Sequence, residues 1–396
     1  MTGGGRRRHI GVAERRARLG LRHRLAGAAR AASPEEVADS LVALHGTDPA
    51  TVYLAVGARL TEPDKTVAET ERALYEDRTL LRMHGMRHTV FVFPAELTAV
   101  VHASTSLAVA ARERAKLLKD MAEAGAPDAA WLAEVERATL AALARRGRAT
   151  AAELAADEPR LREQFVYAAG KPYEGIHTVS TRLLRVLGVE GKVVRDRPLG
   201  SWTSSQFHWA PAPERPELDP AEAQARLLEL WLTACGPATE ADLKWWTGWK
   251  VTEVRRALAA IGAVTVSLDE GLTGYVARDD VEPVAEPSAP WAALLPALDP
   301  TAMGWQQRDW YLAPELRPLL FDRSGNVGPT VWWNGRVVGS WAQRADGEIV
   351  WRIVDPDTGR ETREAVAAEA ERLLGRLDGR RVTPRFRTPL ERELVA

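Results

Sequence analysis

The chain counts 396 residues, 45% hydrophobic and 27% charged, an ordinary globular balance with room for two or three cored domains. Its 53 basic and 54 acidic side chains nearly cancel, so a nucleic-acid surface has to be a local patch and not a global excess. The single cysteine, Cys235, excludes a disulfide framework and a cysteine-rich zinc cluster, and no apolar run reaches membrane-spanning length, which together suit a cytoplasmic chain.

Residues 3–8 read as a flexible basic arm without the apolar stretch of a secretory signal. Arg15, Arg16, Arg18, Arg22 and Arg24 extend that charge into a first helix, where a solvated face and phosphate contact stand at even odds. Ser33-Pro34-Glu35-Glu36 is a helix start, with Ser as N-cap, Pro in the first position and acid in the first turn. The apolar run 37–44 ends in the polar stretch His45-Gly46-Thr47-Asp48-Pro49, and a second apolar segment spans 52–60. Val67 to Tyr75 is helical in pattern, and Thr89 to Phe93 is a strand ending at Pro94. Helix, helix and strand in this order suit a winged helix.

The order recurs. A short capped helix at 149–154, a longer helix at 178–187 bearing Arg182 and Arg185, and a turn and strand at 188–195 make a second unit, with 197–200 as its wing tip. A third unit opens at Pro237-Ala238-Thr239-Glu240 and turns at Thr247-Gly248-Trp249. Its second helix covers 251–261, and its wing strands are 262–266 and 275–278. The segment 280–290, rich in Pro and acid, reads as a linker. Beyond it Asn334-Gly335 joins two strands as a type I′ hairpin, and 365–377 is a helix. The expected organisation is therefore mainly α with β, an α+β chain of tandem winged helices. Its domains are an arm and first unit (1–130), a second unit (131–215), a third (216–285) and a C-terminal β-rich domain (286–396).

Several chemistries are absent: no phosphate loop, no dinucleotide fingerprint and no nucleophile elbow is present. His84 and His88 stand four apart, but Gly85 and the β-prone continuation argue against a shared helix face, so neither metal nor cofactor is expected. Winged helices usually bind DNA through a recognition helix and wing. Arg82 and Arg87 by the first wing, Arg182 and Arg185 on the second unit's helix, and Arg255 and Arg256 on the third's recur at similar places and are candidate phosphate contacts. His45 and Thr47 are equally open to two readings: a packing histidine, or an imidazole that takes a proton from or orients a water that Thr47 helps fix. Asp48 reads as a turn residue before Pro49, or as a group steadying positive charge on a sugar.

Taken together, several segments resemble the AlkZ/YcaQ-like family of bacterial winged-helix DNA glycosylases, from about Leu19 to the C-terminus. They are residues 41–49, 78–89, 200–211, 242–248, 294–300 and the hairpin 334–339. The resemblance implies a C-shaped array of winged helices and binding of double-stranded DNA carrying alkylated bases by a monomer without a cofactor. It also implies excision of bulky N7-alkylated purines or interstrand crosslinks, in resistance to genotoxic natural products, at a nucleoid-associated cytoplasmic location. His45, Thr47 and Asp48 are the catalytic candidates, and Arg82, Arg87, Arg182, Arg185, Asn334 and Arg336 the candidate DNA contacts. The family places a Gln-x-Gln or Gln-x-Asp motif where His45-Gly46-Thr47 stands, and a His where Phe91 stands. A non-catalytic winged-helix DNA-binding protein, either a regulator or a lesion-binding shield, is the alternative.

Overall fold

The computed structural model describes residues 7–167, 170 and 174–396. One order of elements occurs three times along the chain: helix, short strand or bridge, helix, helix, hairpin. In the first repeat these are Pro34–Leu41, Leu44–His45, Pro49–Gly57, Thr66–Glu71 and the hairpin Leu80–His84 with Val90–Pro94, and the sheet places Val90–Pro94 in the middle. In the second they are Ala129–Arg146, the bridge Ala149↔Trp209, Ala151–Asp157, Val179–Val189 and the hairpin Val193–Pro198 with Phe207–Pro211. In the third they are Pro220–Cys235, the bridge Ala238↔Tyr275, Glu240–Thr247, Val251–Ala260 and the hairpin Val264–Ser267 with Thr273–Val276. This α+β order is that of a winged helix.

The repeats share start signals as well as order. The middle helix is capped by Asp48 in the first repeat and by the capping boxes Thr150/Glu153 and Thr239/Asp242 in the others. Such caps satisfy backbone N–H groups that have no partner within the helix. The residue or two before each cap bonds to the wing, so a chain that has just left one helix is pinned before it enters the next.

Several elements were not expected from the sequence, among them the helices Ala129–Arg146 and Pro220–Cys235 that open the second and third repeats. A helix kinked through a π turn, His102–Ser106, runs into Leu107–Glu123 and links the first repeat to the second. A small hairpin, Gln164–Tyr167 with Gly175–Thr178, interrupts the second repeat before its longer helix. The C-terminal region builds an antiparallel sheet from Ala292–Leu295, Thr330–Trp333, Arg336–Gln343 and Ile349–Ile353, with Arg360–Leu377 laid against it. The Asn334-Gly335 turn has φ of 45° and 81°, the left-handed pair that a type I′ turn needs.

The core explains why the first repeat and the sheet stay together. Val52, Tyr53, Val56 and Leu74 pack in one cluster with Leu294, Val331, Trp341 and Leu373. Beside it Arg59 is fully buried and forked onto Asp299 at 2.7 and 2.9 Å, while its Nε donates to the His23 carbonyl at 2.9 Å. Among the described residues no helix is long and apolar enough to cross a membrane.

The basic N-terminus needs a correction. Residues 3–6 of the expected arm lie outside the described residues, but Arg8 to Ile10 are bound to the third wing through Ser267. Arg18 is buried between Glu14 and Asp280, and Arg22 also reaches Asp280, at the head of the segment read as a linker. Those two arginines fasten the first helix to the third repeat and are not free for phosphate.

Candidate functional site

The loop 45–48 is set by its neighbours on both sides. His45 lies opposite Phe91 in the short strand, and the Gly46 N–H continues the ladder to the Val90 carbonyl at 2.8 Å. A Cβ on Gly46 would sit 3.2 Å from the Phe91 backbone, so this close approach favours glycine. Asp48 ends the loop as N-cap: its Oδ1 accepts from Ala50 N at 3.1 Å and its Oδ2 from Arg385 N at 3.0 Å. With both oxygens on backbone donors, Asp48 is a structural anchor, and the expected charge-steadying part is not supported by its geometry.

His45 is buried, its ring edge-on to Phe91 at 5.2 Å between centroids. It lines a cavity with His23, Arg87, Trp231, Cys235 and Trp246, whose free volume of about 20 Å³ is room for one water. Burial, and then the Arg87 charge, hold its pKa down to about 3, so the imidazole is neutral at pH 7. The Thr47 N–H lies 3.5 Å from Nδ1, a long contact that favours the tautomer with its proton on Nε2. A neutral, weakly basic ring of this kind orients a water better than it deprotonates one. Thr47 is half-buried at the loop's rim.

His23, which the sequence did not single out, enters the same cavity. Thr301 Oγ1 accepts from Arg59 at 2.8 Å and lies 2.8 Å from His23 Nδ1, while His23 Nε2 lies 3.6 Å from Cys235 Sγ. No pattern in the sequence pairs residues so far apart.

The candidate DNA contacts separate into two groups. Arg87 is exposed and lies flat over Trp245, 4.1 Å from the ring centre, with Arg308 at 4.9 Å from the same ring. Arg185 is exposed and, among the described residues, hydrogen-bonds only to His88, at 3.3 Å. Arg82 is buried, with Nε and Nη2 lacking a hydrogen-bond partner among the described residues. The others are occupied. Arg182 is buried against Asp120 at 3.3 Å, Arg255 is paired with Glu240, and Arg256 donates to Gln224. Asn334 Oδ1 accepts from Trp291 N at 2.8 Å, and the Arg336 guanidinium is paired with Asp355. Arg16 closes over Gly335, so the hairpin tip is packed down against the first helix. Arg182, Asn334 and Arg336 are thus held by this chain's own groups. His84 and His88 sit on a strand and a turn, with ring centres 5.3 Å apart. Among the described residues no cluster of His, Cys, Asp and Glu could hold a metal.

The threefold winged-helix order sets a buried polar loop beside arginines that, among the described residues, have no carboxylate partner. The profile of the DNA glycosylase AlkZ-like family matches residues 38–376, so the chain belongs to that family. An interstrand DNA cross-link repair glycosylase of Streptomyces sahachiroi is 32% identical over 176 residues; the alignment spans 42% of this chain and 45% of that relative. The solved structure of the Streptomyces sahachiroi DNA glycosylase AlkZ superposes with a TM-score of 0.69 over 94% of this chain and 97% of that one. At 21% identity that match speaks for the fold alone.

Proposed function

We propose that the chain is a monofunctional DNA glycosylase that hydrolyses the N-glycosidic bond of bulky N7-alkylated purines or interstrand crosslinks. It would act as a cytoplasmic, nucleoid-associated monomer in resistance to genotoxic natural products. One observation carries the reading: a neutral imidazole, His45, faces a cavity sized for a single water at the end of a loop bordered by arginines. An N7-alkylated guanine is cationic and leaves readily, so the enzyme has only to steady an oxocarbenium-like sugar and aim a water. His45 Nε2–H donates to one lone pair of that water, and the other lone pair attacks C1′ as the glycosidic bond breaks and the base leaves neutral, the water's proton passing to solvent. Thr47 stands at the loop's rim and is not among the residues that line the cavity. Asp48 holds the loop in shape.

The test is release of N7-alkylguanine from alkylated duplex by His45→Ala. Loss of orientation predicts a fall of about 10²-fold, with DNA affinity retained; unchanged release would remove His45 from the reaction. The low basicity of His45 also favours a second reading, a protein that binds the lesion without excising it. Tight binding to alkylated duplex with no abasic sites formed would select it.

A further inference from the structure

One concentration of charge has no counterpart among the described residues. The strand Leu80–His84 of the first repeat packs against Val193–Pro198 of the second, bringing Arg82 and Arg195 to one seam. Arg82 is only 5% exposed, and its Nε and Nη2 are sealed from solvent without an acceptor. Arg195 stacks on Phe207, 4.7 Å from the ring centre, and its Nε is likewise buried and unpaired. Burial and then its neighbours Arg82, Arg385 and Arg185 hold Arg195 down to about 10, still charged at pH 7. Among the described residues none of these four guanidiniums has a carboxylate within 4.0 Å. Arg385 comes from the C-terminal coil and is exposed; its backbone N–H is tied to Asp48 Oδ2 at 3.0 Å, which sets it beside the loop 45–48.

A buried cation without a partner costs several kcal/mol, so the fold tolerates Arg82 where one acceptor short of neutrality is available from outside. We infer that Arg195 and Arg385, backed by the buried charge of Arg82, clamp one phosphodiester of the DNA backbone beside the loop 45–48, and that Asp48 is a positioning residue that sets Arg385 in the clamp. This rests on the DNA-binding part of the proposed function. It assigns a site to residues from the first repeat, the second repeat and the C-terminal coil together. It also accounts for a carboxylate at 48: one oxygen caps the helix Pro49–Gly57, and the other places an arginine.

The experiment is a salt titration of affinity for unmodified duplex DNA between about 50 and 200 mM, read as the slope of log K against log salt, where each phosphate contact contributes about 0.9. Arg195→Ala and Arg385→Ala should each lower the slope, by at most about that amount, and the double variant by no more than one phosphate's share. Asp48→Asn keeps the helix cap, since Asn is as good an N-cap as Asp, but its amide nitrogen cannot accept from Arg385. It should therefore reproduce the Arg385→Ala slope, and Asp48→Asn with Arg385→Ala should fall no further. Arg82→Met should weaken binding with Tm unchanged or raised, whereas a merely structural arginine would lower Tm. The clamp is overturned if wild type binds with a steep slope and Arg195→Ala and Arg385→Ala keep it, or if Arg82→Met loses Tm. It is also overturned if inorganic phosphate raises the Tm of wild type but not of Arg195→Ala while the duplex slopes match, since that marks a free-anion site. No salt-sensitive binding by wild type would overturn the clamp and the DNA-binding reading together. Intact slopes in the variants alongside normal excision would overturn the clamp alone.

Discussion

Arg59 and Arg82 both lie buried in the first repeat and end in opposite situations. Arg59 is forked onto Asp299, and its remaining donors reach the His23 and Ala55 carbonyls and Thr301. Two nitrogens of Arg82 have no hydrogen-bond partner among the described residues. The contrast separates two uses of arginine that composition merges. One holds the first repeat to the C-terminal region; the other stores positive charge at a seam where an outside anion can answer it. Arg18 belongs with Arg59 and Arg195 with Arg82, while Arg182 stands between them, paired with Asp120 through Nη2 but with its Nε buried and unpaired.

The comparison is broken most forcefully at Asp299. Asp299→Ala leaves Arg59 buried and unpaired and should cost about 3–5 kcal/mol in denaturant unfolding. A loss under about 1 kcal/mol would mean that the two arginines do not differ as described. Next comes acid. Burial, ahead of neighbouring arginines, depresses His23, His45 and His84 to about 3 from an ordinary value near 6.5. Histidines with a lowered folded pKa stabilise the fold fully above about pH 6.5, and that stability is lost progressively as pH falls toward 3. Where all the unfolded copies are protonated the slope is roughly 4 kcal/mol per pH unit. A chemical-unfolding midpoint that stays flat from about pH 6.5 to 4.5 would contradict the buried neutral rings. For the same reason the excision rate should show no inflection near pH 6.5 in wild type, because His45 does not titrate there; a histidine-like inflection lost in His45→Ala would restore the general-base alternative.

Smaller effects sharpen the contrast. Asp120→Ala strips Arg182 of a single 3.3 Å contact and should cost about 1–3 kcal/mol, less than Asp299→Ala. Arg255→Ala removes an exposed pair with Glu240 and should leave Tm unchanged within error. If it also left the DNA salt slope unchanged, the third repeat's helix would stand apart from the DNA-contacting set.

Much of the architecture could be read beforehand because it is written locally. Thr239 with Asp242 and Ser33 with Pro34 start helices wherever they occur, Gly248 in the left-handed region ends one, and Asn334-Gly335 makes its turn from its own two residues. The kinked link through 102–106 and the hairpin at 164–178 escaped, since neither carries a strong breaker or alternation at its borders. The candidate site was legible as a place and not as a chemistry. His-x-Thr stood out between apolar runs, yet nothing local separates a histidine at a water-sized cavity from one packed solid. Arg82 and Arg182 were indistinguishable in sequence, and Asp120, which decides between them, lies on another helix. Arg385 carried no signal beyond a tail expected to pack back.

What the chain determined by itself was the repeated order of its elements, because caps, turns and apolar periodicity act over a few residues. Which arginines are satisfied, which histidines are stripped of solvent, and which carboxylate holds a distant backbone were decided only on folding. Those outcomes depend on charges and cavities assembled from positions as far apart as Asp48 and Arg385, where desolvation and pairing act through space and leave no spacing to read.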